Sequence, residues 1–150
     1  MLRPLAFLRA LMRRNSERPL PRSAVVGKWG EARAADFLAK EGYTVVGRNV
    51  RPNRRDEIDL IVKDARSLVF VEVKTRRKED YGRPAMAVDK NKRHALNRAA
   101  SAYLRKARYP HLFYRFDVVE VLGQPEDQSL PVIRHIDHAF PFETRFRFPV

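Results

Sequence analysis

EIDLIVKDARSLVFVEVKTR, residues 57–76, reads as two apolar strands, each interrupted by charge. Side chains alternate along a strand. Glu57, Asp59 and Ile61 therefore share one face of the first segment, with Ile58, Leu60 and Val62 on the other. In the second segment Leu68, Phe70, Glu72 and Lys74 share a face, with Val69, Val71 and Val73 behind them. The short connection DARS makes an antiparallel hairpin the default, although it lacks the Asn-Gly or Asp-Gly of a tight primed turn. If Asp64 pairs with Ser67, Asp59 falls opposite Glu72 and Glu57 opposite Lys74.

Directly opposed side chains place their Cβ atoms roughly 4.5–5.5 Å apart. Two carboxylates that close repel, so one keeps its proton or a cation holds both. Hard oxygen ligands suit Mg²⁺, which takes one or two carboxylates and keeps several waters. Lys74 would then orient a water and offset charge on a phosphoryl group. A plainer reading stands beside this one: a cross-strand salt bridge from Glu57 to Lys74, with Asp59 and Glu72 in water. Spacing alone leaves both open, because structural ion pairs also perturb titration. Glu31 leans toward the first. It lies on the apolar side of a helix predicted over residues 26–40, with Ala34, Ala35 and Leu38. It is either a third acid reaching the hairpin or a first-turn acid favoured by the helix dipole.

Composition narrows the function classes. The 150 residues suffice for one domain with a core. Thirty-one Lys and Arg against 18 Asp and Glu give a net charge of +13, which favours polyanionic partners. Without cysteine there is no disulfide, thiolate metal site or cysteine nucleophile, which suits a cytoplasmic location. No apolar run approaches the roughly 18 residues of a membrane span. Residues 1–22, with Arg3, Arg9, Arg13 and Arg14 among prolines, are expected to form a basic arm, and residues 23–150 a single domain.

Around the hairpin the pattern continues. Gly42 is placed to end the first helix, and residues 43–50 read as a strand. A second helix carries an apolar stripe of Leu96, Ala99, Ala100, Tyr103 and Ala107, with Arg98 and Arg105 opposite. FYRFDVVEVLG and PVIRHIDHAF follow as strands. Helix, three strands, helix and two strands predict an α/β fold: a mixed sheet flanked by helices.

The segments GKWGEARAADFLAKEGYTVVGRNV, EIDLI, LVFVEVKTR and RFDVVEV resemble the small bacterial YraN-like proteins, which have a restriction-endonuclease-like core. The resemblance spans residues 27–140. A helix glutamate, an acid on one strand and Glu-x-Lys on the next match the PD-(D/E)xK nuclease arrangement, in the version of archaeal-type Holliday junction resolvases. That similarity implies that Asp59 and Glu72 bind the metal, with the Val73 carbonyl and Glu31 as further ligands, and that Lys74 is the catalytic lysine. It also implies Mg²⁺, or Mn²⁺ in its place, and a homodimer. The chain departs from its relatives at Asp56, where they usually carry Gly, and lacks the literal Pro-Asp before Asp59.

Two basic clusters flank this pattern. Arg76, Arg77 and Lys78 follow the Glu-x-Lys strand, and Lys90, Lys92 and Arg93 open the second helix. Both are expected to hold phosphates of a nucleic acid, against the alternative of solvated charge. Tyr81, Phe140, Phe142, Phe146 and Phe148 could stack on bases but more often such residues pack on a core, and no function is assigned to them. His94, His111, His135 and His138 lack metal-ligand spacing, and Asp117 reads as a partner of Arg115 rather than a ligand. The expectation is a Mg²⁺-dependent, structure-selective endonuclease acting on DNA with branched or single-stranded features. Its rivals are a non-catalytic nucleic-acid-binding protein of the same fold and a basic scaffold that docks on protein or RNA.

Overall fold

The computed structural model describes residues 18–78, 88–108, 113–143 and 145. Most of the basic arm, Tyr81, His111, Phe146 and Phe148 lie outside the described residues. The elements are α1 (Arg22–Lys40), β1 (Thr44–Val50), β2 (Ile58–Lys63), β3 (Ser67–Arg76), α2 (Lys90–Lys106), β4 (Phe113–Leu122) and β5 (Val132–Phe140). They build one five-stranded sheet whose order follows the chain. β1, β2 and β3 are antiparallel neighbours, α2 carries the chain across so that β4 runs parallel to β3, and β5 returns antiparallel. The expected mixed α/β sheet is present and is compatible with a restriction-endonuclease-like core.

A strand in the middle of a sheet covered on both faces must be apolar on both. β3 obeys this over Ser67 to Val71, five consecutive buried residues. On one face Ala34, Ala35 and Leu38 of α1 meet Leu60, Val62, Val69, Val71, Val119 and Val121. On the other, Leu96, Ala99, Ala100 and Leu104 of α2 meet Ile61, Leu68, Phe70, Phe116 and Val118. Phe140 stacks on Phe116 at 4.6 Å between ring centroids, and Phe142 lies 4.4 Å from the same ring, so both are core residues rather than base-stacking platforms.

Helix α1 begins at Arg22, four residues before the start read from periodicity, because its first turn buries no side chain. It ends as expected. Gly42 takes φ +97°, its N–H bonds Ala39 O, and the Tyr43 N–H reaches back to Leu38 O, the paired bonds of a Schellman stop. In α2 the buried stripe includes Leu104, whereas Ala107 is exposed. Arg98 is not on a solvated face: its guanidinium grips Asp56 with two 2.7 Å bonds.

Gly30 brings α1 down onto β3. A Cβ there would lie 1.9 Å from the Thr75 hydroxyl oxygen, so only glycine allows this approach, one residue from Glu31.

Candidate active site

The β2–β3 register is set by its turn. Asp64 Oδ1 accepts from the backbone N–H groups of Arg66 (2.8 Å) and Ser67 (2.7 Å), and the Asp64 N–H bonds Ser67 O. This side-chain turn does the work that an Asn-Gly pair would do. Lys63, Val62, Ile61 and Leu60 then face Leu68, Val69, Phe70 and Val71. The next step of the register sets Asp59 against Glu72, as the sequence predicts.

The ladder ends there, and the strands part around polar groups. Asp59 Oδ2 accepts the Val73 N–H at 2.9 Å. A strand residue turns its N–H and C=O toward the same neighbour, so the Val73 carbonyl is aimed at the same gap. Ile58 leaves the alternation: it packs with Ile61 and Phe70, not with Leu60 and Val62. Burial first, and the Glu72 carboxylate second, push the Asp59 carboxyl up to about 7, against the pull of the Val73 N–H. Among the described residues Glu72 Oε2 is buried without a hydrogen bond, and it pairs with Lys92, whose Nζ lies at 3.5 Å.

Lys74 projects from the face that carries Phe70 and Glu72, and its cross-strand neighbour on β4 is Glu120. The alternative salt bridge to Glu57 is not made. Glu57 is taken by Arg51 at 2.6 Å and by Asn49 at 3.1 Å, and Lys74 enters no ion pair among the described residues.

Glu31 borders the site from α1 without joining the pair. Among the described residues, no three His, Asp or Glu side chains converge into a ligand set. Glu31 Oε2 is instead bonded by Asn49 Nδ2 at 2.9 Å, and the same amide holds Glu57. Burial raises the Glu31 carboxyl above its ordinary range; Asn49 opposes the rise, while Asp59 and Glu57 add to it. Asn49 manages this from a left-handed backbone, φ +46°, which an Asn tolerates better than most residues.

The basic residues divide. Arg76 turns inward to the buried Glu120, which Arg134 also approaches at 3.5 Å. Lys78 bonds the Ser129 hydroxyl, and Lys92 serves Glu72. Arg77, Lys90 and Arg93 stay exposed. Arg77 lines a groove of about 630 Å³ on the α1 side of β3 with Arg22, Gly27, Glu31, Val73 and Thr75. Lys90 and Arg93 line a cleft of about 510 Å³ with His94, Asn97 and Glu143.

Asp56 adds no loose charge beside the site, because Arg98 and Asn53 enclose it and Arg98, first among these, holds its carboxyl below the usual range. Asn49 and Glu120 are the residues that sequence reasoning missed, and Lys92, expected to hold a phosphate, instead lies against Glu72. Only Glu120 carried a signal: it shares a strand face with Phe116 and Val118 and is a carboxylate in an otherwise apolar run.

The model of the uncharacterised protein family UPF0102 matches residues 30–121. The chain belongs to this family, the YraN-like proteins. A UPF0102 protein of Trichlorobacter lovleyi is 46% identical over 116 residues, 77% of this chain and 89% of that protein. One from Desulfosudis oleivorans is 47% identical over 109 residues, covering 73% and 86% of the two chains. A third, from Symbiobacterium thermophilum, is 50% identical over 101 residues, 67% and 85%. The matched region runs from Gly30 through β4 and so contains Glu31, Asp59, Glu72, Lys74 and Glu120.

Proposed function

We propose that this protein is a Mg²⁺-dependent endonuclease that hydrolyses phosphodiesters in DNA with branched or single-stranded features. The observation that carries the reading is the parting of β2 and β3 at Asp59 and Glu72, with the ammonium of Lys74 on the same face and in no ion pair among the described residues. A buried carboxylate oxygen of Glu72 has no hydrogen-bond donor among the described residues, and burial beside Glu72 keeps Asp59 easy to protonate.

The donor set fits a hard divalent ion. Asp59, Glu72 and the Val73 carbonyl would hold it, leaving positions for water and a phosphate oxygen. When bound, such an ion polarises the phosphoryl oxygens and acidifies water. The remaining work falls to the chain. Lys74 offers three N–H donors and no acceptor, which suits it to position the attacking water and to offset charge growing on the phosphoryl oxygens. As the water oxygen bonds phosphorus, the bond to the leaving sugar oxygen breaks and that oxygen takes up a proton. Glu31, tied by Asn49, borders this space and would add a ligand directly or through water.

The net charge of +13 and the exposed Arg77, Lys90 and Arg93 suit contact with phosphates on either side of the cut. No base-reading element is evident, so selectivity would rest on nucleic-acid shape. A cysteine-free chain working on DNA suits the cytoplasm. No helix among the described residues is long and apolar enough to cross a membrane.

The test is a cleavage panel with Mg²⁺ or Mn²⁺ on single-stranded, duplex, flapped and four-way DNA, with RNA counterparts. Wild type is expected to cut a branched or flapped DNA, and Asp59→Ala and Lys74→Ala to lose at least about a hundredfold in rate. Salt-dependent binding without cutting by the wild type would overturn the nuclease and favour a non-catalytic nucleic-acid-binding protein.

A further inference from the structure

We infer that Lys92 is a built-in counter-cation of the Asp59–Glu72 pair, one that a divalent ion must displace in order to bind. This rests on reading the pair as a metal site. Lys92 Nζ sits 3.5 Å from Glu72 Oε2, the oxygen that is buried with no hydrogen-bond donor. That distance is long for a hydrogen bond and short for a Coulombic contact. The ammonium therefore balances charge without filling the oxygen's bonding capacity.

Lys92 is the cation that serves this pair, because Lys74, on the same strand as Glu72, makes no ion pair among the described residues. Its backbone is fixed: the Lys92 N–H bonds the side chain of Asp89, the N-cap of α2, at 2.8 Å. The side chain beyond is long and 41% exposed, against 12% for Glu72. An anchored root with a half-exposed tip can hold the ammonium on the carboxylate and swing it into water. A lysine suits that exchange better than an arginine, since its ammonium is a strongly hydrated point charge rather than a bidentate fork.

A divalent ion at Asp59 and Glu72 carries twice the charge of Lys92 and would repel it. The displaced ammonium would remain at the mouth of the site, where it could meet an incoming phosphate. Lys92 thereby sets the metal affinity of the resting protein, and its loss should tighten metal binding rather than weaken it.

The experiment measures Mn²⁺ binding to the full chain without nucleic acid, by electron paramagnetic resonance of free Mn²⁺. Lys92→Gln should bind Mn²⁺ about tenfold more tightly than wild type, the effect of removing one unit charge from a half-exposed position. Lys92→Arg should stay near wild type. Without metal Lys92→Gln should melt below wild type, and saturating Mn²⁺ should close that gap. In wild type, Mg²⁺ should raise the labelling rate of Lys92 by an amine reagent severalfold and leave that of exposed Lys40 unchanged.

Equal or weaker Mn²⁺ binding by Lys92→Gln, with wild type still binding, would overturn the role of Lys92 and leave the metal site intact. Absence of Mn²⁺ binding in wild type and in Lys92→Gln would overturn the metal site, and the role of Lys92 with it.

Discussion

Asp59 and Asp117 sit in the same sheet and titrate in opposite directions. Asp117 is the more deeply buried, 1% exposed, and burial alone would raise it. Its carboxyl is nonetheless depressed, because donors surround it. His135 Nε2 lies 2.7 Å from Oδ2, Arg115 Nε donates to Oδ1 at 2.9 Å, and the His138 N–H donates to Oδ1 at 3.1 Å. Tyr43 steadies Arg115 from the other side at 2.7 Å. Burial raises Asp59 as well, and the facing Glu72 carboxylate adds to it; with one backbone N–H to oppose them, it rises to about 7. Burial pushes both carboxyls up, and what separates them is the set of donors around Asp117 against the second carboxylate beside Asp59.

The comparison breaks most directly under mutation. Asp117→Ala leaves the half-buried Arg115 and His135 without their carboxylate, and is expected to cost about 3–5 kcal/mol by urea denaturation. Asp59→Asn removes one of two repelling carboxylates and keeps the shape. Without divalent metal it should be neutral or stabilising by about 1 kcal/mol. Comparable losses in the two variants would mean that the Asp59 cluster is as structural as that of Asp117.

Acid and base arms of the stability curve sharpen the same contrast. Asp117 has its pKa lowered by folding, so the stability it contributes is present above its unfolded value near 3.8 and is lost as pH falls below that. Asp59 has its pKa raised from 3.8 to about 7, so the folded chain holds a proton that the unfolded chain has released. Its contribution is complete below 3.8 and is lost as pH rises toward 7, with a slope of at most about 1.4 kcal/mol per pH unit. Stability in a metal chelator should accordingly decline over that window in wild type and flatten in Asp59→Asn. Saturating Mg²⁺ should reverse the slope, since a metal ligand must shed its proton.

These contrasts also explain what could be read from the chain. The Asp59–Glu72 pairing was legible because strand alternation and a four-residue connection leave few registers, and the Asx turn at Asp64 selects the expected one. Asp117 was legible as a partner of Arg115 through their two-residue spacing on one strand face. Glu31 was legible only as an acid on a buried helix face; where it points depends on Asn49, eighteen residues away. Lys92 read as a phosphate contact and Arg98 as charge opposite the apolar stripe of α2, because periodicity records which face a residue occupies and not how far its side chain reaches back. Their partners, Glu72 and Asp56, become neighbours only when α2 is laid across the sheet. Arg76 read as a phosphate contact, yet its strand face leads to Glu120, a meeting that the parallel β3–β4 pairing creates.

Asn49 offers the smallest and most selective test, because it joins backbone strain to charge placement. At φ +46°, alanine would cost on the order of 1–2 kcal/mol through its Cβ, while glycine adopts that conformation freely. Both substitutions remove the amide that Glu31 and Glu57 share. Asn49→Gly should therefore stay within about 1 kcal/mol of wild type, and Asn49→Ala should fall further. In both, Glu31 loses the donor that opposes its rise, so its carboxyl should titrate higher than in wild type, as followed by carboxyl NMR shifts. If the Glu31 titration is unmoved in Asn49→Gly, the amide does not govern that acid. Glu31 would then be set by burial on α1 alone, and the bridge from helix to hairpin would be packing rather than polarity.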